Sequence, residues 1–170
     1  MEWKMPLRAA EASFLLKFLS IFSCLFLLLK ITPMQPLLEW IAGFEFGLLK
    51  MWGISGALNG NAIIIGSVTI EIVAECSGLF MPILLAALLW STKISNSRRV
   101  KYLLAFSPPL FLFNLARLYI TILPLAIAPA WFTPIHVFLW FLDSAIVLAI
   151  WMRAQGIGLK ELVRQKKSGN

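Results

Sequence analysis

The sequence predicts an all-α integral membrane protein with about four transmembrane helices, an external interfacial helix and a short external hairpin. Of its 170 residues, 60% are hydrophobic, and the mean hydropathy is +0.86. A soluble domain of this length could not bury so much apolar surface, so lipid must surround it. The seven Trp and nine Pro agree, because membrane helices tolerate Pro and collect aromatic residues at their interfaces.

The first apolar run, residues 12–31, has about the 20 residues that cross a bilayer. Its Lys17 and Lys30 can extend to opposite interfaces. A cleaved signal peptide is the other interpretation of this run. The residues that follow, 32–36, contain no small-x-small cleavage site, so we expect a retained span.

The next segments predict structure at the membrane surface. From Leu37 to Trp52, apolar residues recur at helical spacing and include two Trp, which is typical of a helix lying in the interface. The Gly- and Asn-rich residues 53–61 predict a loop. Residues 63–73 predict a hairpin, with Gly66-Ser67 as a two-residue turn before an alternating run.

Three further spans complete the prediction, at residues 77–91, 102–124 and 135–152. The second span is short, and we expect its helix to continue beyond both ends. The third span is expected to bend near Pro108-Pro109. No repeat or linker interrupts the chain, so residues 1–170 form a single domain with a tail at 153–170.

Basic residues predict the orientation. They concentrate in the loop 91–101 and in the tail 153–170, which the positive-inside rule places in the cytoplasm. Four spans then require a cytoplasmic N-terminus, where Lys4 and Arg8 agree. The net charge of +7 therefore reflects membrane topology and not nucleic-acid binding. The interfacial helix, the hairpin and the loop around Trp131 are expected outside.

Three chemically active side chains are expected in one outer layer. Cys76 precedes the second span, and His136, the only histidine, begins the fourth. Arg117 lies about 22 Å along the third span from Tyr102 at 1.5 Å per residue. An intramembrane charge is expensive and faces the bundle interior, so Arg117 is a candidate functional residue. Cys24, in the middle of the first span, is expected to be buried as an inert small hydrophobe.

Two neighbours support Arg117. Asp143 is seven residues after His136 and therefore on the same helix face, about 10 Å deeper. That depth matches Arg117, so we expect an Arg117–Asp143 ion pair that reduces the cost of both charges. Asn114 shares the helix face of Arg117.

The three residue types suit nucleophilic catalysis. A thiolate is the attacking form of Cys, a nearby cation or helix N-terminus favours it, and His can move its proton. An Arg offers forked donors for an oxyanion. Glu71 and Glu75 are expected to be solvated surface charges, and Glu75 would oppose thiolate formation at Cys76. Each residue alone has a plainer structural role, and only their co-location favours a site.

The motifs Ala74-Glu-Cys-Ser-Gly-Leu79 and Asn114-Leu-Ala-Arg117, followed by His136, resemble those of the exosortase/archaeosortase family. The resemblance covers roughly residues 60 to 150. It implies a membrane cysteine protease or transpeptidase in which Cys76 is the nucleophile and Arg117 and His136 are the other catalytic residues. Ser77, Gly78 and Asn114 match flanking motif positions, and with Asp143 they are expected to support the site or the substrate.

The resemblance also implies partners and a location. The substrates would be proteins whose C-terminal sorting signal combines a short motif, a transmembrane helix and a basic tail. The acceptor would be water, a lipid or an amine. No cofactor and no metal is expected, and the chain would lie in the cell membrane with both termini cytoplasmic. The alternatives are a non-enzymatic membrane scaffold or assembly subunit with a structural Arg117–Asp143 pair, and a transporter fragment, against which the lack of an inverted repeat argues.

Overall fold

The structure, a computed structural model, describes residues 9–156. Lys4, Arg8 and the tail beyond residue 156, on which part of the predicted orientation rests, lie outside the described residues. The helices are α1 (Ala9–Ile31), α2 (Gln35–Met51), α3 (Phe80–Ser91), α4 (Asn96–Ile127) and α5 (Phe132–Gln155). The strands are β1 (Ala57–Asn59), β2 (Ala62–Ile65) and β3 (Val68–Glu71), and 3₁₀ turns occur at Ala74–Cys76 and Pro129–Trp131.

Three helices are long and apolar enough to cross a membrane, over Glu11–Ile31, Asn96–Leu125 and Phe132–Gln155. The shorter apolar helix α3 is the fourth member of the bundle, so the predicted all-α membrane class is confirmed. α3 packs against α1, α4 and α5. It therefore lies at the centre of the bundle, where a helix need not be long enough to face lipid along its whole length.

Aromatic contacts fix the directions of the helices. Phe14 near the start of α1 lies 5.9 Å from the ring of Trp151 near the end of α5. Near the other end of the bundle, the ring of Phe80 lies 6.2 Å from Phe26 of α1 and 6.2 Å from Trp140 of α5. Because α3 starts where α1 ends and α5 starts, α3 and α5 run antiparallel to α1.

The second predicted span, residues 77–91, is wrong in its length. α3 begins only at Phe80 and has 12 residues, about 18 Å at 1.5 Å per residue, and it does not continue beyond either end. Gly78 has a left-handed φ of +80°, which interrupts the helix on the N-terminal side. At the other end Thr92 is extended, and Arg99 donates to the carbonyl oxygens of Leu89 and Thr92 at 3.1 and 2.6 Å.

The third and fourth spans are longer than predicted. α4 begins at Asn96, so the second half of the predicted basic loop is helical, and it runs on through Pro108 and Pro109 as one helix. α5 begins at Phe132 and ends at Gln155, where Gly156 closes it with a φ of +81°. Pro134 lies in the first turn of α5, where its missing N–H is not needed.

A helix, α2, is present where the interfacial helix was predicted, and one of its faces packs on the rest of the protein. Its buried residues contact the sheet and the second half of α4: Leu38, Ile41, Ala42, Glu45, Phe46 and Leu49. Trp40 and Phe44, predicted on the apolar face, are 53% and 42% exposed. The sheet and α4 determine the buried side, and the aromatic side remains on the outside of the protein.

The predicted hairpin is confirmed and extended by one strand. Ile65 pairs with Val68 across the Gly66-Ser67 turn, as expected. The predicted loop 53–61 is wrong in part, because β1 pairs antiparallel with β2 and the turn Gly60-Asn61 joins them. Ala57–Asn59 lacks a β-branched alternation, so its strand conformation depends on pairing with β2. Gly60, with a φ of +59°, was the available turn signal.

Glu45 of α2 is fully buried in the core between α2, the sheet and α4. Neither of its carboxylate oxygens has a hydrogen-bond partner among the described residues. Burial without a partner disfavours the charged form, and it raises the pKa of Glu45 to about 8. Folding therefore holds a proton on Glu45 at pH values where the unfolded chain has released it.

We predict that Glu45→Gln stabilises the protein relative to wild type as the pH rises from 5 to 8. The folded pKa exceeds the unfolded one, so wild-type stability is full below the ordinary Glu pKa of 4.5 and falls as the pH approaches 8. The slope is at most about 1.4 kcal/mol per pH unit. Thermal unfolding in detergent at several pH values measures it. Glu39→Gln, at an exposed position of the same helix, is the control and should show no such trend.

We predict that Gly78→Ala destabilises the fold more than Gly66→Ala does. Both glycines have positive φ, at +80° and +58°, so each substitution carries a strain of about 1–2 kcal/mol. A Cβ at residue 78 would also lie 2.7 Å from Cδ2 of Phe111, whereas one at residue 66 meets open space. Thermal unfolding compares the two variants. Equal melting temperatures would contradict the left-handed turn packed on α4.

Candidate functional site

Cys76 is the last residue of the 3₁₀ turn Ala74–Cys76, which connects the sheet to α3. The side-chain amide of Asn114 on α4 donates to the Cys76 carbonyl oxygen at 2.9 Å. Ser77 is fully buried, and its hydroxyl accepts a hydrogen bond from the Leu79 N–H at 3.3 Å. Gly78 lets the chain pass close to Phe111 and Asn114. These contacts hold the turn that carries the thiol, here named the Cys76 turn, against α4.

Arg117 follows Asn114 by three residues on the same face of α4. Its Nη1 donates to Oδ2 of Asp143 on α5 at 2.8 Å, so the predicted ion pair is present. Both residues are buried, at 6% and 8% exposed. Arg117 Nε and Asp143 Oδ1 are buried without a partner among the described residues. The guanidinium therefore keeps a donor that the pair does not use.

His136 is the fifth residue of α5, seven residues before Asp143 on the same helix face. Its ring stacks on that of Phe132 with 5.7 Å between centroids. The ion pair fixes α5 against α4 at Asp143, and the imidazole lies about 10 Å further along the axis, at 1.5 Å per residue.

One cavity of about 610 Å³ brings the three predicted catalytic residues together. It is lined by Lys30, Val73, Ala74, Glu75, Cys76, Arg117, His136 and Trp140. A thiol, an imidazole and a guanidinium, from the Cys76 turn, α5 and α4, thus share one space at one end of the bundle. Ser77, Gly78, Asn114 and Asp143 do not line the cavity but contact or adjoin the residues that do.

An unpredicted ion pair borders this cavity. Lys30 near the end of α1 contacts the carboxylate of Glu75 beside Cys76. Glu75 was expected to be a solvated surface charge, and its side chain is 39% exposed, but Lys30 also pairs with it and lowers its pKa. The negative charge next to the thiol is therefore compensated. The sequence signal was weak, since only the equal depth of Lys30 and Cys76 in the bilayer connects residues so distant in sequence.

Trp140 was also missed, although its position follows from helical spacing. It lies four residues after His136 and therefore on the same face of α5. Its ring stacks on that of Phe80, at the start of α3. Trp140 adds an aromatic wall to the polar cavity. The other cysteine, Cys24, was expected to be buried, which is wrong: it is exposed on α1, and it does not line the cavity.

The side chains that line the cavity differ in their chemistry. Within residues 9–156, no cluster of three or more His, Cys, Asp or Glu side chains could hold a metal ion. The groups at hand are a nucleophile, a proton carrier and hydrogen-bond donors of fixed positive charge. This set can attack a carbonyl carbon, move one proton and hold a negatively charged oxygen.

One of three comparisons with known proteins found a match. The sequence model of the transmembrane exosortase family matches residues 3–155, which include every helix and strand described above. The comparison with curated proteins gave no match, and the comparison with solved structures gave none. The family match covers most of the chain, and the chain belongs to the transmembrane exosortase family.

Proposed function

We propose that the protein is a membrane cysteine protease or transpeptidase that cleaves proteins at a C-terminal sorting signal. The single observation that carries the proposal is the cavity that Cys76, Arg117 and His136 line together. These residues come from three separate elements and are distant in sequence, so their convergence has no local cause. Membership in the exosortase family supports the same reaction class.

The reaction follows from the roles of Cys76 and His136. His136 accepts the thiol proton, and the Cys76 thiolate attacks the carbonyl carbon of the scissile peptide bond. The tetrahedral intermediate collapses as the C–N bond breaks, and the imidazolium returns its proton to the leaving amine. A thioester to Cys76 remains. Water, an amine or a lipid hydroxyl then attacks the thioester, and the thiol is regenerated.

Arg117 is suited to hold the developing oxyanion. Its charge is permanent, and its residue lines the cavity. Asp143 orients the guanidinium from behind through Nη1. Donors fixed before the reaction stabilise an oxyanion without reorganisation at the time of reaction. Lys30 contributes indirectly, because it compensates the charge of Glu75 beside the nucleophile.

The distribution of cations supports an active site on the external side. Lys93, Arg98, Lys101 and Arg153 lie at the end of the bundle opposite the cavity. The positive-inside rule puts that end in the cytoplasm and the cavity at the outer interface. A substrate would place its transmembrane helix beside the bundle, its basic tail at the cytoplasmic end and its scissile bond at Cys76.

A non-enzymatic scaffold is the second candidate, and the buried Arg117–Asp143 pair is the observation in its favour. Removing one partner of a buried pair destabilises a protein by about 3–5 kcal/mol whether or not the pair is catalytic. The two candidates differ at Cys76 and His136. Substitution of either residue would leave a scaffold unchanged.

We predict that Cys76→Ala abolishes cleavage of a co-expressed substrate that carries a C-terminal motif, transmembrane helix and basic tail. The thioester cannot form without the sulfur, so processing should fall by about 10³-fold or more. Immunoblotting of substrate size measures cleavage, and the amount of membrane-inserted enzyme is measured in parallel.

Cys24→Ala is the matched control, because Cys24 is the other cysteine and lies outside the cavity. It should process the substrate normally. Normal processing by Cys76→Ala would refute the proposed nucleophile, and unchanged assembly of a partner complex by that variant would favour the scaffold.

A further inference from the structure

Two further cavities lie between α4 and α5, at the end of the bundle away from Cys76. One has a volume of about 280 Å³ and is lined by Lys101, Tyr102, Ala105, Phe106 and Arg153. The other has about 290 Å³ and is lined by Phe106, Pro109, Leu110, Phe113, Ile146 and Ile150. Phe106 forms part of both walls. We name the two cavities together the α4–α5 groove.

The first cavity is positively charged and has no acidic lining residue. Lys101 and Arg153 are exposed, and neither has a carboxylate partner within the described ranges. The Tyr102 hydroxyl donates to the Arg153 carbonyl oxygen at 3.4 Å, and Arg98 lies 5.9 Å from the Tyr102 ring. Two unpaired cations that flank a phenol provide donors for an anion such as a phosphate diester.

The second cavity is lined by apolar side chains only. Leu110 is 2% exposed, Pro109 is exposed, and the other lining residues are half-buried. Along α4, the distance from Lys101 to Phe113 is about 18 Å at 1.5 Å per residue. One leaflet of the hydrocarbon core is about 15 Å thick, half of the 30 Å bilayer core. The groove therefore has the length and polarity of one lipid molecule in one leaflet.

We propose that the α4–α5 groove binds one anionic phospholipid, with its phosphate against Lys101 and Arg153 and an acyl chain along the apolar cavity. Basic pockets between transmembrane helices on the cytoplasmic side bind anionic head groups in this manner. Inorganic phosphate would leave the apolar cavity empty, and a zwitterionic lipid would bring a cationic head group next to Lys101 and Arg153. The proposal concerns a surface remote from Cys76 and does not depend on catalysis there.

The test uses the full-length protein in a neutral detergent. Short-chain phosphatidylglycerol should raise the melting temperature by about 3–6 °C once its concentration exceeds the dissociation constant tenfold. Phosphatidylcholine of the same chain length and inorganic phosphate should have much smaller effects. An equal rise in melting temperature with phosphatidylcholine would contradict recognition of the negative charge. An equal rise with inorganic phosphate would contradict binding of an acyl chain in the apolar cavity.

Two variants locate the site. Lys101→Gln/Arg153→Gln changes exposed side chains, so the protein should still fold but lose the response to phosphatidylglycerol. Lys50→Gln/Lys93→Gln removes two exposed charges outside the groove and should keep the response. A response retained by the first variant, or lost equally by both, would overturn the proposed site.

Discussion

The buried ion pair between Arg117 and Asp143 is the constraint on which the site depends. Two charges inside a membrane bundle are stable only while they remain together, so the pair fixes α4 and α5 at one height and one rotation. His136 is on the face of α5 that carries Asp143, and it therefore reaches the cavity at a set distance from Arg117. A shift of α5 by one turn, about 5.4 Å, would separate Asp143 from Arg117 and would also change the distance between His136 and Arg117.

The same face of α4 also holds the Cys76 turn. Asn114 binds the backbone of the Cys76 turn one helical turn before Arg117, and Gly78 permits the close approach. The hydrogen bond to its carbonyl oxygen thus positions Cys76 through the backbone, and the residue lines the cavity. α3 needs no full membrane span for this arrangement, because its N-terminal end only has to reach the level of Asn114. A short α3 is therefore compatible with the position of the Cys76 turn.

The parts of the fold that could be predicted from sequence are those governed by local chemistry. Long apolar runs identify α1, α4 and α5, and the depth of Arg117 and Asp143 along their helices predicts their pairing. Tertiary packing determined the rest. Ala57–Asn59 is a strand because β2 pairs with it, and Glu75 meets Lys30 because α1 packs on α3. The sheet and α4 determine which face of α2 is buried, and no local sequence pattern predicts that face.

The most direct test of the shared cavity is a thiol cross-link between residues 76 and 136. His136→Cys in a Cys24→Ala background places two thiols on the cavity wall, and a short bifunctional maleimide should join them within one chain in native membranes. Phe138→Cys in the same background is the control, since residue 138 is 66% exposed on α5 and does not line the cavity. The account predicts a cross-linked peptide pair by mass spectrometry for residue 136 and little for residue 138. Equal yields, or no cross-link to residue 136, would contradict it.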